Sequence, residues 1–120
     1  MWVSLTVEEV EELLEEEAGK HGLFRCDAAA AAMAEILRKN GRDGEIIILT
    51  WTNSRGHVIS ISNPLNIPGG AISTNAMHQG VLFNGIVRCN VHPRGLPEAQ
   101  RINDFAATGT RHITRIPILR

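Results

Sequence analysis

The apolar residues change period once, between Gly41 and Glu45, and that single change limits the folds open to the chain. Before it, Val7, Val10, Leu13, Leu14 and Ala18 recur at helical spacing, and Ala29, Ala32, Met33, Ile36 and Leu37 do so again. After it, "EIIILTW" (45–51) reads as a buried strand and "HVISIS" (57–62) as an alternating one. Two helices followed by strands imply an α+β domain, with the N-terminal helices packed on an antiparallel sheet. The expected bounds are helices at about 6–21 and 26–40 and a sheet over about 45–119, in one domain spanning 1–120.

Local signals sharpen this outline. Thr6 with Glu9 makes a capping box at the start of the first helix, which should end near Gly22. Asn40-Gly41 closes the second helix. The alanine run from Ala28 has a structural reading, since small side chains let a helix lie close to a sheet. "NPLNIPGG" (63–70) is a loop, and "PRGLP" (93–97) breaks the chain. "EAQRINDFAA" (98–107) reads as a short helix and "RHITRIPI" (111–118) as a last strand, placed at an edge by Pro117. Between two apolar runs stands Asn84-Gly85, a strong signal for a two-residue hairpin turn. That turn pairs Phe83 with Ile86, and by extension Gly80 with Cys89, Gln79 with Asn90 and His78 with Val91.

Charge excludes little. The net charge of −1 gives no overall pull towards nucleic acid or an anionic membrane. Its distribution is uneven: seven glutamates and no base lie between Glu8 and Glu17, whereas six arginines follow from Arg88 against Glu98 and Asp104. These are either two solvated faces or a surface for a charged partner. The first residues lead into a glutamate-rich helix rather than an apolar stretch, so no signal peptide is expected, and no apolar run reaches membrane-spanning length. A cytoplasmic working environment is the expectation.

Chemistry concentrates at the second helix. "FRCDAAAAAMAEILRKNG" (24–41) places Cys26 at the helix start. Unsatisfied N–H groups and a partial positive charge there favour a thiolate and lower its pKa. A nucleophilic thiolate needs an imidazole beside it and a third group to orient that imidazole. Of five histidines, His78 opens the first arm of the hairpin whose second arm ends at Cys89-Asn90. Gly80, just after it, leaves room for the close approach of a helix end. His57 also starts a strand but lacks a hairpin partner. Cys26 alone would read as core filler, Cys89 as a small strand residue and His92 as a loop histidine. With two cysteines far apart and no CxxC or HxxxH spacing, neither a disulfide framework nor a metal site is expected, and no cofactor is implied.

"LFRCDAAAAAMAEILRKNGRDGEIIIL", "GGAISTNAMHQGV" and "VRCNVHPRGLP" in that order, from about Leu23 to Phe105, resemble the papain-fold toxin domains of bacterial polymorphic toxin systems. The resemblance implies a papain-like fold, Cys26 as nucleophile and His78 as general base. In the family an aromatic-Asp-Asn tends to precede the HP segment; here Arg88-Cys89-Asn90 stands there. Alternation along an ideal strand turns Cys89 to the face of His78 and Asn90 away. A bulge could turn Asn90 inward to complete a Cys-His-Asn triad, a backbone carbonyl could orient His78, or the site could be impaired; Asn90 is preferred. Gln79 is a candidate second oxyanion donor beside the Cys26 N–H, because no glutamine stands shortly before Cys26.

The resemblance further implies an antibacterial cysteine-dependent amide hydrolase, either a protease or a glutamine deamidase. Such a domain is delivered as the tip of a larger secreted protein, acts on a protein in the target-cell cytoplasm and is blocked by a cognate immunity protein. Neither nucleic acid nor membrane is an expected partner. Two other classes stay open: a nuclease toxin using His78, His92 and the arginines, and a binding module with a decayed triad.

Overall fold

The computed structural model describes residues 5–22, 25–53, 58–60, 71–73 and 77–118. Helix α1 (Val7–Gly19) opens with the expected capping box, the Thr6 hydroxyl accepting from the Glu9 N–H and the Glu9 carboxylate from the Thr6 N–H. It ends at Gly19, short of Gly22. Helix α2 (Cys26–Lys39) follows, and both pack on one face of a sheet.

That sheet is antiparallel, in the order β6 (Leu96–Pro97), β5 (Ile86–Arg88), β4 (Met77–Phe83), β1 (Gly44–Thr52), β8 (Thr110–Ile118). A smaller sheet is formed by β3 (Ala71–Ser73), β2 (Val58–Ser60) and β7 (Phe105–Ala106). The α+β class read from the sequence, helices on an antiparallel sheet, is the observed one, and β8 with Pro117 lies at an edge as expected.

The larger sheet separates two apolar clusters. On its helix side Val81 and Phe83 of β4 meet Leu14, Ala30, Met33 and Leu37. The buried alanines are Ala29, Ala30 and Ala34, which bring α2 against the sheet. On the opposite side Leu49 and Trp51 of β1 join Val58, Cys89, Val91 and Phe105.

Three expectations need correction. The hairpin turns at Asn84 and Gly85, both with positive φ (54° and 80°), and pairs Phe83 with Ile86, but the ladder ends at Val81 with Arg88. The further pairs Gly80–Cys89, Gln79–Asn90 and His78–Val91 are absent, because the chain turns on itself and the Cys89 N–H donates to the His92 carbonyl (3.3 Å). The "EAQRINDFAA" segment is helical only over α3 (Glu98–Asn103). Its Phe105 starts a strand instead, because pairing with β2 also buries the ring. Within "PRGLP", Leu96 and Pro97 pair with Val87 and Ile86. The loop at 63–70 lies outside the described residues.

Part of the two charged faces meets inside the chain. Arg88 Nη2 lies 3.1 Å from Glu11 Oε2, and Arg94 Nε 3.3 Å from Glu15 Oε1. The second pair is exposed and contributes little; the first is largely buried. No helix among the described residues is long and apolar enough to cross a membrane.

Candidate functional site

Helix α2 begins at Cys26 without a side-chain cap: its N-cap residue, Arg25, makes no capping hydrogen bond. Asp27 accepts from the Ala28 N–H (2.8 Å) and so places a carboxylate in the first turn. Cys26 is only 5% exposed. Burial foremost pushes its thiol above the ordinary value. The Gln79 backbone N–H favours the thiolate, the Asp27 carboxylate opposes it, and the Asp27 N–H and the Arg101 guanidinium favour it again. The expectation of a lowered pKa therefore meets the opposite balance, since desolvation outweighs the helix terminus.

His78 is the second residue of β4, opposite Leu49 of β1, with 0% exposure. Its ring lies 4.4 Å from that of Phe105, tilted by 41°. Burial foremost, then the charges of Arg101 and His92, hold the imidazole well below the ordinary histidine value, so it is neutral near pH 7. Neither ring nitrogen has a hydrogen-bond partner among the described residues. Cys26 and His78 thus reach adjacent residues of one strand, the thiol at the Gln79 N–H and the imidazole at the preceding position, without a hydrogen bond between them.

The other sequence-derived residues fall on both sides of the sheet. Cys89 is fully buried in the cluster on the His78 side, as strand alternation indicates, and burial pushes its thiol up. Asn90 is not at His78: its Nδ2 donates to the Gly22 carbonyl (2.8 Å). The Gln79 side chain is turned to Met77 Sδ (3.6 Å), so what Gln79 brings to the thiol is its backbone N–H. His21 lies 3.6 Å from Glu17 Oε1 on α1. His57 is outside the described residues.

Two features escaped sequence reading. His92 Nε2 lies 2.8 Å from Asp104 Oδ2, with its ring 5.8 Å from Phe105. Arg101 of α3 is 0% exposed, and its guanidinium carbon stands 5.0 Å over the Phe105 ring. Its Nη2 lies 2.9 Å from where a Cβ on Gly80 would be, so the space Gly80 leaves open holds a guanidinium rather than a helix end. Nothing in "EAQRIN" marks this arginine as the inward one, but a glycine following a histidine in a buried strand did signal a close approach.

Chemically, this arrangement offers a thiol met by a backbone N–H at a helix start, a neutral imidazole one residue away along the strand, and a fixed buried cation. Among the described residues no three His, Cys, Asp or Glu side chains gather as a metal site requires. No curated protein and no solved structure matches the chain. A family model described as papain fold toxin 2 matches residues 9–106, a span that holds Cys26, His78, Cys89, Asn90 and Arg101. With a match over most of its 120 residues, the chain belongs to the papain fold toxin 2 family.

Proposed function

We propose that this toxin domain is a cysteine-dependent amide hydrolase, with Cys26 as nucleophile and His78 as proton carrier. The observation that carries the reading is the meeting of the α2 N-terminus with β4: the Cys26 sulfur faces the Gln79 N–H, next to His78. His78 takes the thiol proton and the thiolate attacks an amide carbonyl. The Cys26 backbone N–H, with that of Gln79 beside it, steadies the developing oxyanion. His78 returns the proton to the leaving amine, and a thioester remains. Water, deprotonated by the same imidazole, releases the acid and restores the thiol. A neutral resting His78 suits the first step. The cycle also requires the buried imidazole to leave Phe105 and turn towards the thiol, a side-chain rearrangement that substrate binding must drive.

Peptide bonds and glutamine side chains both fit this cycle, so protease and glutamine deamidase are its two forms. In this proposal the domain acts on a protein of the target-cell cytoplasm after delivery within a larger protein. A cognate immunity protein covers it, using the glutamates of α1 that Arg88 and Arg94 leave free. A complex indifferent to reversing Glu8, Glu12 and Glu16 would remove that last element. Asn90 supports the site through Gly22.

Expression in bacteria without an immunity gene, at matched protein levels, tests the chemistry. Wild type and Lys39→Ala should kill, while Cys26→Ala and His78→Ala should not. Killing by Cys26→Ala refutes the thiol mechanism, and degraded RNA in those cells would point to a nuclease. In killed cells, new protein N-termini identify a protease, and glutamine-to-glutamate conversion a deamidase.

A further inference from the structure

Strand β8 takes no part in the proposed chemistry, yet with β1 it is one of the two longest strands of the sheet. It pairs with β1 at nine consecutive positions without a bulge, and among the described residues no strand pairs with its outer edge. Every residue from Thr110 to Pro117 is exposed, including Ile113 and Ile116 at 43% each, on opposite faces. A long uncovered edge invites another strand, and sheet proteins commonly shorten, kink or cover theirs.

The backbone groups that this edge offers follow from the hairpin. The Asn84-Gly85 turn makes Phe83 and Ile86 a hydrogen-bonded pair, so Leu82, Gly80 and His78 turn their N–H and C=O groups to β1. Their partners Glu45, Ile47 and Leu49 face back, which leaves Ile46, Ile48 and Thr50 to engage Ile116, Thr114 and His112 of β8. Arg111, Ile113, Arg115 and Pro117 therefore aim their backbone groups outward. Pro117, which has no N–H, stands at one of the positions where the inner ladder needs none.

We propose that the outer edge of β8 is a docking site for an extended acidic segment of a partner protein, which adds a sixth strand to the sheet. The chemistry of the outward residues selects that partner. Arg111, Ile113 and Arg115 lie on one face, cation, apolar, cation, so a matching strand carries a carboxylate, an apolar residue and a carboxylate at alternate positions. Arg111 gives Nη1 to the Ile102 carbonyl (2.8 Å), a neutral acceptor that holds the guanidinium without cancelling its charge. Arg115 remains 43% exposed between Glu45 and Glu98. A second copy of the chain is a poor occupant: with Ile113 set against its own copy, Arg111 would stand opposite Arg115 at both ends.

Hydrogen exchange of the labelled chain, made by cell-free synthesis and followed by NMR, tests this with an acetylated peptide, Thr-Glu-Thr-Val-Thr-Glu-Thr. In the free chain the amides of Arg111, Ile113 and Arg115 should exchange fast and those of His112, Thr114 and Ile116 slowly. The peptide at about 1 mM should slow the first three. Replacing both of its glutamates by lysine should weaken binding about tenfold or more. Ile113→Pro, which removes an outward N–H and spares the inner ladder, should abolish it. If that variant does not fold, a peptide N-methylated at its valine, tried on wild type, decides instead. Unchanged exchange at the three amides, equal binding of the lysine peptide, or undiminished binding of the methylated one overturns the proposal. So does protection already present in a chain that sediments as a dimer, which would give the edge to a second copy. None of these outcomes depends on whether Cys26 is a nucleophile, so the docking site and the hydrolase stand or fall separately.

Discussion

Replacing Gly80 by alanine adds one methyl group at the most crowded point of β4. The new Cβ would stand 2.9 Å from Arg101 Nη2, 2.9 Å from Val87 Cγ1 and 3.0 Å from the Arg88 carbonyl oxygen. Ordinary contacts between non-bonded heavy atoms lie at about 3.5–4.0 Å, so all three are too close by half an ångström or more. The Arg88 carbonyl belongs to the last pair of the β4–β5 ladder, and Val87 is buried within β5. Only the guanidinium, the far end of a long side chain, has room to yield. Gly80 is not among the positive-φ glycines, so alanine itself fits the backbone.

Overpacking costs about 1–3 kcal/mol, and the lower unfolded-state entropy of alanine returns about 0.4–1 kcal/mol. A net loss of about 1–2 kcal/mol is expected, on the order of 5–10 °C in melting temperature for a chain this size. Urea unfolding followed by circular dichroism measures it. The same substitution in an Arg101→Met background separates the contributions, because an uncharged, flexible thioether moves aside more easily. There the cost should fall by roughly half, the coupling expected of neighbours in contact. A neutral Gly80→Ala, or a cost untouched by Arg101→Met, would refute the placement of the guanidinium over this glycine.

Two further outcomes follow from other ionisable groups. Because the folded His78 titrates well below its unfolded value, the unfolded chain alone takes up a proton as pH falls through about 6.5. Stability is therefore complete above that pH and drops by about 1.4 kcal/mol per unit below it, down to the folded value. Melting temperatures at pH 7.5 and 5 should diverge more in wild type than in His78→Leu; equal divergence would mean that the buried imidazole takes up its proton without unfolding. Glu11→Gln removes the carboxylate facing Arg88, whose side chain is 6% exposed, and should destabilise by about 1–3 kcal/mol in urea unfolding. Glu15→Gln, opposite an Arg94 that is 91% exposed, should stay within about 0.5 kcal/mol, and matching losses in the two variants would show that burial does not set the difference.

What could be read in the sequence is what neighbours in the chain decide. The capping box at Thr6, the start of α2 at Cys26, and the turn at Asn84-Gly85 with its Phe83–Ile86 pair need only local chemistry, and all three are present. The strand at Phe105 is set by β2, more than 40 positions earlier, and the helical look of "EAQRIN" masks it. Arg101 was hidden for the same reason: whether a helical arginine faces water or Gly80 depends on how α3 sits beside β4. At the candidate site the position of Cys26 was legible, but the direction of its pKa was not. A helix terminus is visible in the sequence, whereas the burial that outweighs it arises only when α2 meets the sheet.

One consequence of the hairpin lay within reach. In a two-residue turn the flanking residues form the hydrogen-bonded pair, so Phe83 directs its N–H towards β5, and alternation gives Val81 and then Gln79 the same direction. The ladder stops at Val81, because the Cys89 N–H turns to the His92 carbonyl instead of continuing along β4. Gln79 is thus left with an N–H aimed at a place where no strand lies, and the N-terminus of α2 brings Cys26 to it. Gly80, one residue on, opens the side of the strand that Arg101 fills. The donor that favours the thiolate therefore originates in the early departure of β5 from β4. Had the ladder run on to Asn90, the Gln79 N–H would be taken up by the strand and Cys26 would face burial without it.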